Sequence, residues 1–416
     1  MNHTTDAIAA PPAPRPARFR HVAPAGAPLR SLDMARWAAT ALTPGDPRAA
    51  LNAAVGARFG VSSRAICTGR AGMTLLLSAL SRLAGGRRTE VVLPAYTCYS
   101  VAASVMKAGL TPHLVDVDPA TLDFDLGALD AAMHDGVLAI VATNLYGYPS
   151  DGHLAGVAQR HGAFFVDDAA QAMGAAREGE FAGTRGDVGL FSLDKGKNVS
   201  AIDGGLIVSR KPDVAAAMDE AVAALPQPGG RHVAADAAKA LAYFVLLRPW
   251  LYWVPASMPG LQLGATQFRM DFPLEGYSRT LAALAQQAFA RLDAFTAARR
   301  TNATRLVSSL AAAPGLRTIA PIHGADPVYL RLPVLADTPT RREAWLRRLN
   351  EAAIGATVSY PACLADVPAI RERAVGADRP LTGGREIAAR IMTLPTHPMV
   401  SGADIARIVA LLGGDR

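Results

Sequence analysis

Two lysines one residue apart, Lys195 and Lys197, sit in the stretch Ser192-Leu-Asp-Lys-Gly-Lys-Asn-Val-Ser-Ala-Ile-Asp-Gly-Gly205. A lysine in a cleft can attack a carbonyl carbon and form a Schiff base, whereas a lysine on a turn between strands is merely solvated. Upstream lies Phe165-Val-Asp-Asp-Ala-Ala-Gln-Ala172, an apolar run that ends in two acids. An acid at the carboxyl end of a strand can face a ligand, although it can also cap a helix. A buried carboxylate at Asp168 and a lysine at Lys197 in one cleft suit pyridoxal phosphate. The carboxylate keeps the pyridine nitrogen protonated, and the lysine forms the Schiff base. Such a cofactor also needs a phosphate cradle. Thr68-Gly-Arg-Ala-Gly-Met73 precedes a helical run, Met73–Leu83, whose first N–H groups would face an anion. Gly69 permits close approach, though glycines shape ordinary turns as well.

The elements that would position these residues follow from hydrophobic periodicity. From about Arg64 to Val208, short apolar runs (Glu90–Leu93, His113–Val117, Val137–Thr143, Ala163–Val166, Leu206–Val208) alternate with segments of helical spacing. That alternation predicts an α/β fold: a mostly parallel sheet with helices on both faces, and working residues at the strand exits. Ala238–Val254 is the most apolar stretch, interrupted by Arg248-Pro249 and too short to span a bilayer. It reads as a buried or dimer-facing helix; the alternative is a patch on a membrane surface or facing a lipid-linked substrate. A long amphipathic helix is expected from about Ser278, then a strand over Val328–Val334 and helices over Thr340–Ala352 and Ser401–Leu412. The expected division is a flexible arm over 1–35, a large domain over 36–275 and a smaller C-terminal α/β domain over 276–416.

Composition narrows the function classes. Half of the 416 residues are apolar, and the formal charge is +7. The Lys and Arg residues are scattered, with no basic face of interleaved aromatics, so small anions rather than nucleic acid are the expected partners. Cys67, Cys98 and Cys363 form no pair and no metal spacing with His, so neither a disulfide framework nor a metal site is expected. A reducing cytoplasm fits. The Pro- and Ala-rich first thirty residues contain no apolar run of signal-peptide length.

Taken together, these motifs resemble the DegT/StrS-type aminotransferases, pyridoxal-phosphate enzymes of fold type I in the aspartate aminotransferase superfamily. The likeness runs from about Arg64 to the C-terminus. It is carried by Val92-Leu-Pro-Ala-Tyr-Thr97, Ala108-Gly-Leu-Thr-Pro112, Val115-Asp-Val-Asp118 and Asn144-Leu-Tyr-Gly147. Further along, it is carried by Asp168-Ala-Ala-Gln171, Gly186-Asp-Val-Gly-Leu-Phe-Ser192 and Leu394-Pro-Thr-His-Pro398. In the family the Schiff-base lysine precedes Gly-Gly by seven and eight residues. Counting back from Gly204-Gly205 gives Lys197, followed by Asn198, while Lys195 falls on the family's proline.

The resemblance implies a site. Asp168 pairs with the pyridine nitrogen, Gln171 packs near the ring's phenolic oxygen, and Ser192 with the N–H groups of Arg70 and Ala71 holds the phosphate beside Gly69. The ring-stacking aromatic falls at Cys98, with Tyr99 beside it. Asp194 replaces the family's His in the lysine segment, and Asp203 its Glu before Gly-Gly. Phe268-Arg269-Met270 is the nearest echo of the segment by which the family completes its site from a partner subunit. The implied function is transfer of an amino group from an amino acid, glutamate, to a keto group of a nucleotide-linked sugar, by a homodimer with shared sites. A sugar dehydratase would carry His in place of Lys197. A non-catalytic assembly or regulatory relative would have no need of Asp168, Gln171, Ser192 and Lys197 together.

Overall fold

In a computed structural model of the chain, residues 20–258 and 267–413 are described. A seven-stranded sheet forms the centre. Its strands are β1 (Ser62–Ile66), β2 (Glu90–Pro94), β3 (Thr111–Val115), β4 (Val137–Thr143), β5 (Phe164–Asp168), β6 (Val188–Ser192) and β7 (Gly205–Ser209), in the order β1-β7-β6-β5-β4-β2-β3. The pairs β6–β5, β5–β4, β4–β2 and β2–β3 are parallel, and β7 runs antiparallel to both β6 and β1. The mostly parallel α/β sheet expected from the periodicity is therefore present. All seven residues of β4 and all five of β6 and β7 are buried, as strands covered on both faces require. No short apolar run marked β6, because Val188-Gly-Leu-Phe-Ser192 is broken by a glycine. Gly189 is needed there: a Cβ would stand 1.8 Å from the carbonyl oxygen of Gly183.

A second, antiparallel sheet is built from β8 (Leu316–Thr318), β9 (Arg331–Ala336) and β10 (Ile391–Pro395), with β9 in the middle. Helices Leu292–Leu310, Pro339–Glu351 and Gly402–Gly413 cover it, burying Leu306, Trp345 and Ile408 with Val334 and Leu394. The long helix expected from Ser278 is two helices, Arg279–Phe289 and Leu292–Leu310. The break lets the first pack on helices Ser31–Leu42 and Pro47–Phe59 of the large sheet's side, while the second reaches the small sheet.

The expected flexible arm differs from the structure over its second half. Residues 1–19 lie outside the described residues, but from Arg20 the chain is pinned. Val22 bridges Ile354, the buried His397 contacts the Ala23 carbonyl through Nε2 at 2.8 Å, and Arg20 pairs with Asp404. Burial pushes the His397 pKa down to about 3, so the imidazole is neutral. The Pro- and Ala-rich composition that suggested flexibility instead supplies small residues, Ala23, Ala25 and Ala27, that are buried among the packed elements.

The apolar stretch 238–254 falls on helix Gly230–Leu246, a turn, and the short helix Trp253–Ala256. Ala240 and Leu247 face inward, whereas Leu241, Val245, Trp250 and Trp253 are exposed. Among the described residues no helix is long and apolar enough to cross a membrane.

Candidate active site

At the carboxyl ends of the parallel strands opens a cavity of about 620 Å³. Asp168 ends β5, and the lysine loop leaves β6 beside it. Pleating sends neighbouring side chains to opposite faces, so the two acids of Asp167-Asp168 part company. Asp167 is fully buried on the far side. It is saturated by Arg185 Nε and Nη2 (both 3.0 Å), Asn144 Nδ2 (2.8 Å) and the Gly183 N–H (2.8 Å). Asp168 faces the cavity and accepts one hydrogen bond, from the Ala170 N–H at 3.0 Å. Burial raises its pKa to about 6, against the pull of that N–H and of Lys197. A buried carboxylate with most of its acceptor capacity unused is arranged for a cation, and a protonated ring nitrogen is one.

The loop resolves the two lysines by their neighbours. Lys197 acts electrostatically on Asp168, while Lys195 is exposed and acts on Asp203. Asp203 is pushed up to about 6 by burial and by the nearby Asp194, with Lys195 pulling the other way. Backbone hydrogen bonds fold the loop, with Lys197 N donating to Asp194 O (3.1 Å) and Lys195 N to Ile202 O (3.1 Å). Ile202 has φ 76°, a left-handed conformation costly for a β-branched residue, so the surroundings must hold the loop in shape. Asn198 anchors it from below, donating to Met173 O (2.8 Å) and accepting from Arg299 Nε (2.9 Å). Among the described residues Arg299 pairs with no acid, and burial pushes its pKa down to about 9. Its other donors reach the carbonyls of Leu330 (2.8 Å) and Gly26 (2.7 Å), joining the loop, the small sheet and the N-terminal segment.

Thr68, Gly69, Arg70 and Ser192 form a further part of the lining. Helix Gly69–Leu83 begins here with Thr68 as its cap. A Cβ on Gly69 would come within 3.3 Å of Ser192, so glycine keeps this wall open. One expected donor is corrected: the Ala71 N–H is already taken by Thr68 Oγ1 at 3.1 Å, and Ala71 does not line the cavity. The N–H groups left to face an anion are those of Gly69 and Arg70, with the hydroxyl of Ser192. Tyr99 is corrected likewise. Its ring turns away, and its hydroxyl bonds both the carbonyl (3.3 Å) and the N–H (2.8 Å) of Ala362. Cys98 does line the cavity, with Sγ 2.9 Å from Ser100 Oγ.

Gln171 also lines the cavity, in a network that the sequence did not disclose. Its Oε1 accepts from the Tyr146 N–H (2.9 Å), and its Nε2 donates to the Tyr360 hydroxyl (2.5 Å). Tyr360, Ser359, Arg331, Asn144 and Arg269 also line the cavity. Of these, Asn144 lay in the motif Asn144-Leu-Tyr-Gly147 and Arg269 in Phe268-Arg269-Met270. The others come from turns and from the second sheet, and a lone Arg or Tyr carries no spacing signal. With a free carboxylate, a free lysine and an open helix start in one cavity, the residues present fit pyridoxal phosphate.

At the far end of the sheet Glu90, His113 and His134 come together. His134 Nδ1 accepts from the Gly136 N–H (3.0 Å), so Nε2 carries the proton and donates to Glu90 (3.0 Å). His113 Nδ1 meets the same oxygen at 2.9 Å. The three form a hydrogen-bonded triad whose ligand atoms lie within 4.8 Å of one another, a grouping of metal-ligating side chains that residue spacing did not reveal.

The fold and this cavity define a fold type I α/β transferase. The chain belongs to the DegT/DnrJ/EryC1/StrS aminotransferase family, whose model matches residues 34–413. It is 37% identical over 168 residues to UDP-N-acetyl-3-dehydro-alpha-D-glucosamine 3-aminotransferase of Acidithiobacillus ferrooxidans, a match covering 40% of this chain and 45% of that protein. The segment matched therefore spans less than half of that relative. A longer match, 28% identical over 346 residues, links it to dTDP-3-amino-3,4,6-trideoxy-alpha-D-glucose transaminase of Streptomyces venezuelae, covering 81% of this chain and 79% of that one. Among solved structures, the aminotransferase TlmJ of Streptoalloteichus hindustanus superposes with a TM-score of 0.74 at 23% identity, covering 95% and 98% of the two chains.

Proposed function

We propose that the chain is a pyridoxal-phosphate-dependent aminotransferase that moves an amino group from glutamate to a keto group of a nucleotide-linked sugar. One observation carries the reading: Lys197 and the under-bonded carboxylate of Asp168 line one cavity, near enough to act on each other electrostatically, and it is large enough for a cofactor and a sugar-sized ligand. The two relatives above, a UDP-sugar aminotransferase and a dTDP-sugar transaminase, support the substrate class.

When bound, pyridoxal phosphate supplies an aldehyde that takes up amino groups and a ring that delocalises an electron pair left at the substrate carbon. The chain's own residues do the rest. Asp168 would keep the ring nitrogen protonated. The Gly69 and Arg70 N–H groups and Ser192 would hold the phosphate, and Gln171 would be available to the ring's phenolic oxygen. Lys197 Nζ would hold the cofactor through its aldehyde and would move a proton to and from the substrate carbon. Sugar dehydration is disfavoured by the lysine at 197, and a non-catalytic role leaves the open carboxylate of Asp168 without a purpose.

The test is a screen of the purified protein. Protein charged with glutamate should aminate keto-sugar nucleotides, with the amino sugar detected by mass spectrometry; transfer to simple keto acids alone would overturn the substrate class.

The same reading makes the protein a cytoplasmic homodimer with each site finished across the interface. The free state of all three cysteines supports a reducing compartment. The exposed Leu241, Val245, Trp250 and Trp253 support an apolar contact surface. Light scattering should return a dimer, and a fully active monomer would exclude a shared site. Flotation with liposomes, lost on Trp250→Glu, would favour the membrane-facing alternative.

A further inference from the structure

We propose that Arg331 is the carboxylate-recognising residue of the cleft, and that the group it holds is the α-carboxylate of the amino donor. Arg331 begins β9 of the small sheet, yet lines the same cavity as Lys197, Gln171 and Tyr360. Its guanidinium is under-used. Nη1 donates to Thr357 Oγ1 (2.9 Å) and Ser359 Oγ (3.2 Å), while Nε is sealed from solvent with no partner. Among the described residues no acid forms an ion pair with it. The groups that act on it are the hydroxyls of Tyr360, Tyr146 and Tyr252, and burial pulls its pKa down.

Its neighbours show that this is no habit of the fold. Arg185 is equally enclosed but is paired through two nitrogens with Asp167, and Arg299 spends all three nitrogens on oxygens of the chain. A buried cation with idle donors is costly unless a ligand completes it. Ser359, which turns its hydroxyl onto Arg331, is held at φ 59°, a strained conformation that fixes the guanidinium from behind.

The ligand's chemistry follows from position and shape. The proposed phosphate seat at Thr68, Gly69 and Ser192 is built from elements of the large sheet, whereas Arg331 comes from the small sheet and neighbours Tyr360, which holds Gln171. A planar guanidinium fork matches a carboxylate. On the transaminase reading, on which this inference rests, the donor must bring its α-carbon to Lys197. Its carboxylate is attached to that carbon and must lie within the cleft, whereas a sugar presents hydroxyls around its keto carbon.

The test compares L-glutamate with 4-aminobutyrate, the same amine without the α-carboxylate, in single turnovers read as loss of the aldehyde-form absorbance. Arg331→Leu should slow the glutamate reaction roughly 30-fold or more, the loss expected when one partner of a buried charge pair is removed. Arg331→Lys should recover part of it, and 4-aminobutyrate should react alike in all three proteins. Calorimetry with glutarate, which is glutamate without its amino group, should show binding to the wild type that Arg331→Leu loses. An unchanged glutamate rate, an equal loss with both amines, or a loss confined to reaction of the amino form with a carboxylated ketone would overturn the proposal. If the wild type reacts with neither amine, the transaminase reading fails. Glutarate then still decides for Arg331, because equal binding by wild type and Arg331→Leu sinks it.

Discussion

Lys197→Ala should eliminate covalent attachment of the cofactor and lower turnover by roughly four orders of magnitude or more, whereas Lys195→Ala should leave both within a few-fold of wild type. The expected loss combines the nucleophile with the general base, since one amine serves both steps. The two lysines are one residue apart on the same loop, but Lys197 faces Asp168 while Lys195 is exposed beside Asp203. Borohydride reduction followed by peptide mass spectrometry reads the result directly. A pyridoxyl adduct on Lys195 would reverse the assignment.

Asp168→Asn should retain cofactor and lose activity by about three orders of magnitude, because an amide cannot hold the ring nitrogen protonated. The same change should stabilise the empty protein. The folded-state pKa of Asp168, about 6, lies above the ordinary carboxyl value of 3.8. A raised carboxyl pKa means that folding penalises the charged form, so stability is lost as pH rises from about 4 through 6. At pH 7 that penalty is on the order of a few kcal/mol, and the asparagine variant escapes it. Thermal melts of the cofactor-free proteins should show Asp168→Asn melting higher at pH 7, with the gap closing towards pH 4. An Asn variant that turns over near the wild-type rate would transfer the role to another acid. Asp167 is a poor substitute, being saturated by Arg185, Asn144 and Gly183.

The alternation of apolar runs with helical spacing determined the α/β class on its own, because burial of a parallel strand on both faces forces a continuous apolar run whatever surrounds it. The lysine, the acid, the glutamine and the Ser192 wall were legible for a related reason. They sit at strand exits and a helix start, where local sequence fixes backbone position within a few residues. The tertiary structure alone decided three things. The first is what holds the other acid: Asp167, behind the strand, is saturated by Arg185 and Asn144, partners that only the packing of separate elements brings to it. The second is which N–H groups remain free at the helix start, since the Thr68 side chain consumes that of Ala71. The third is the arrival of Arg331, Ser359 and Tyr360 from a different sheet and loop, more than 130 residues downstream of Lys197 in the chain. Their chemistry depends on burial and on absent partners, and neither is written in the spacing of residues along a chain.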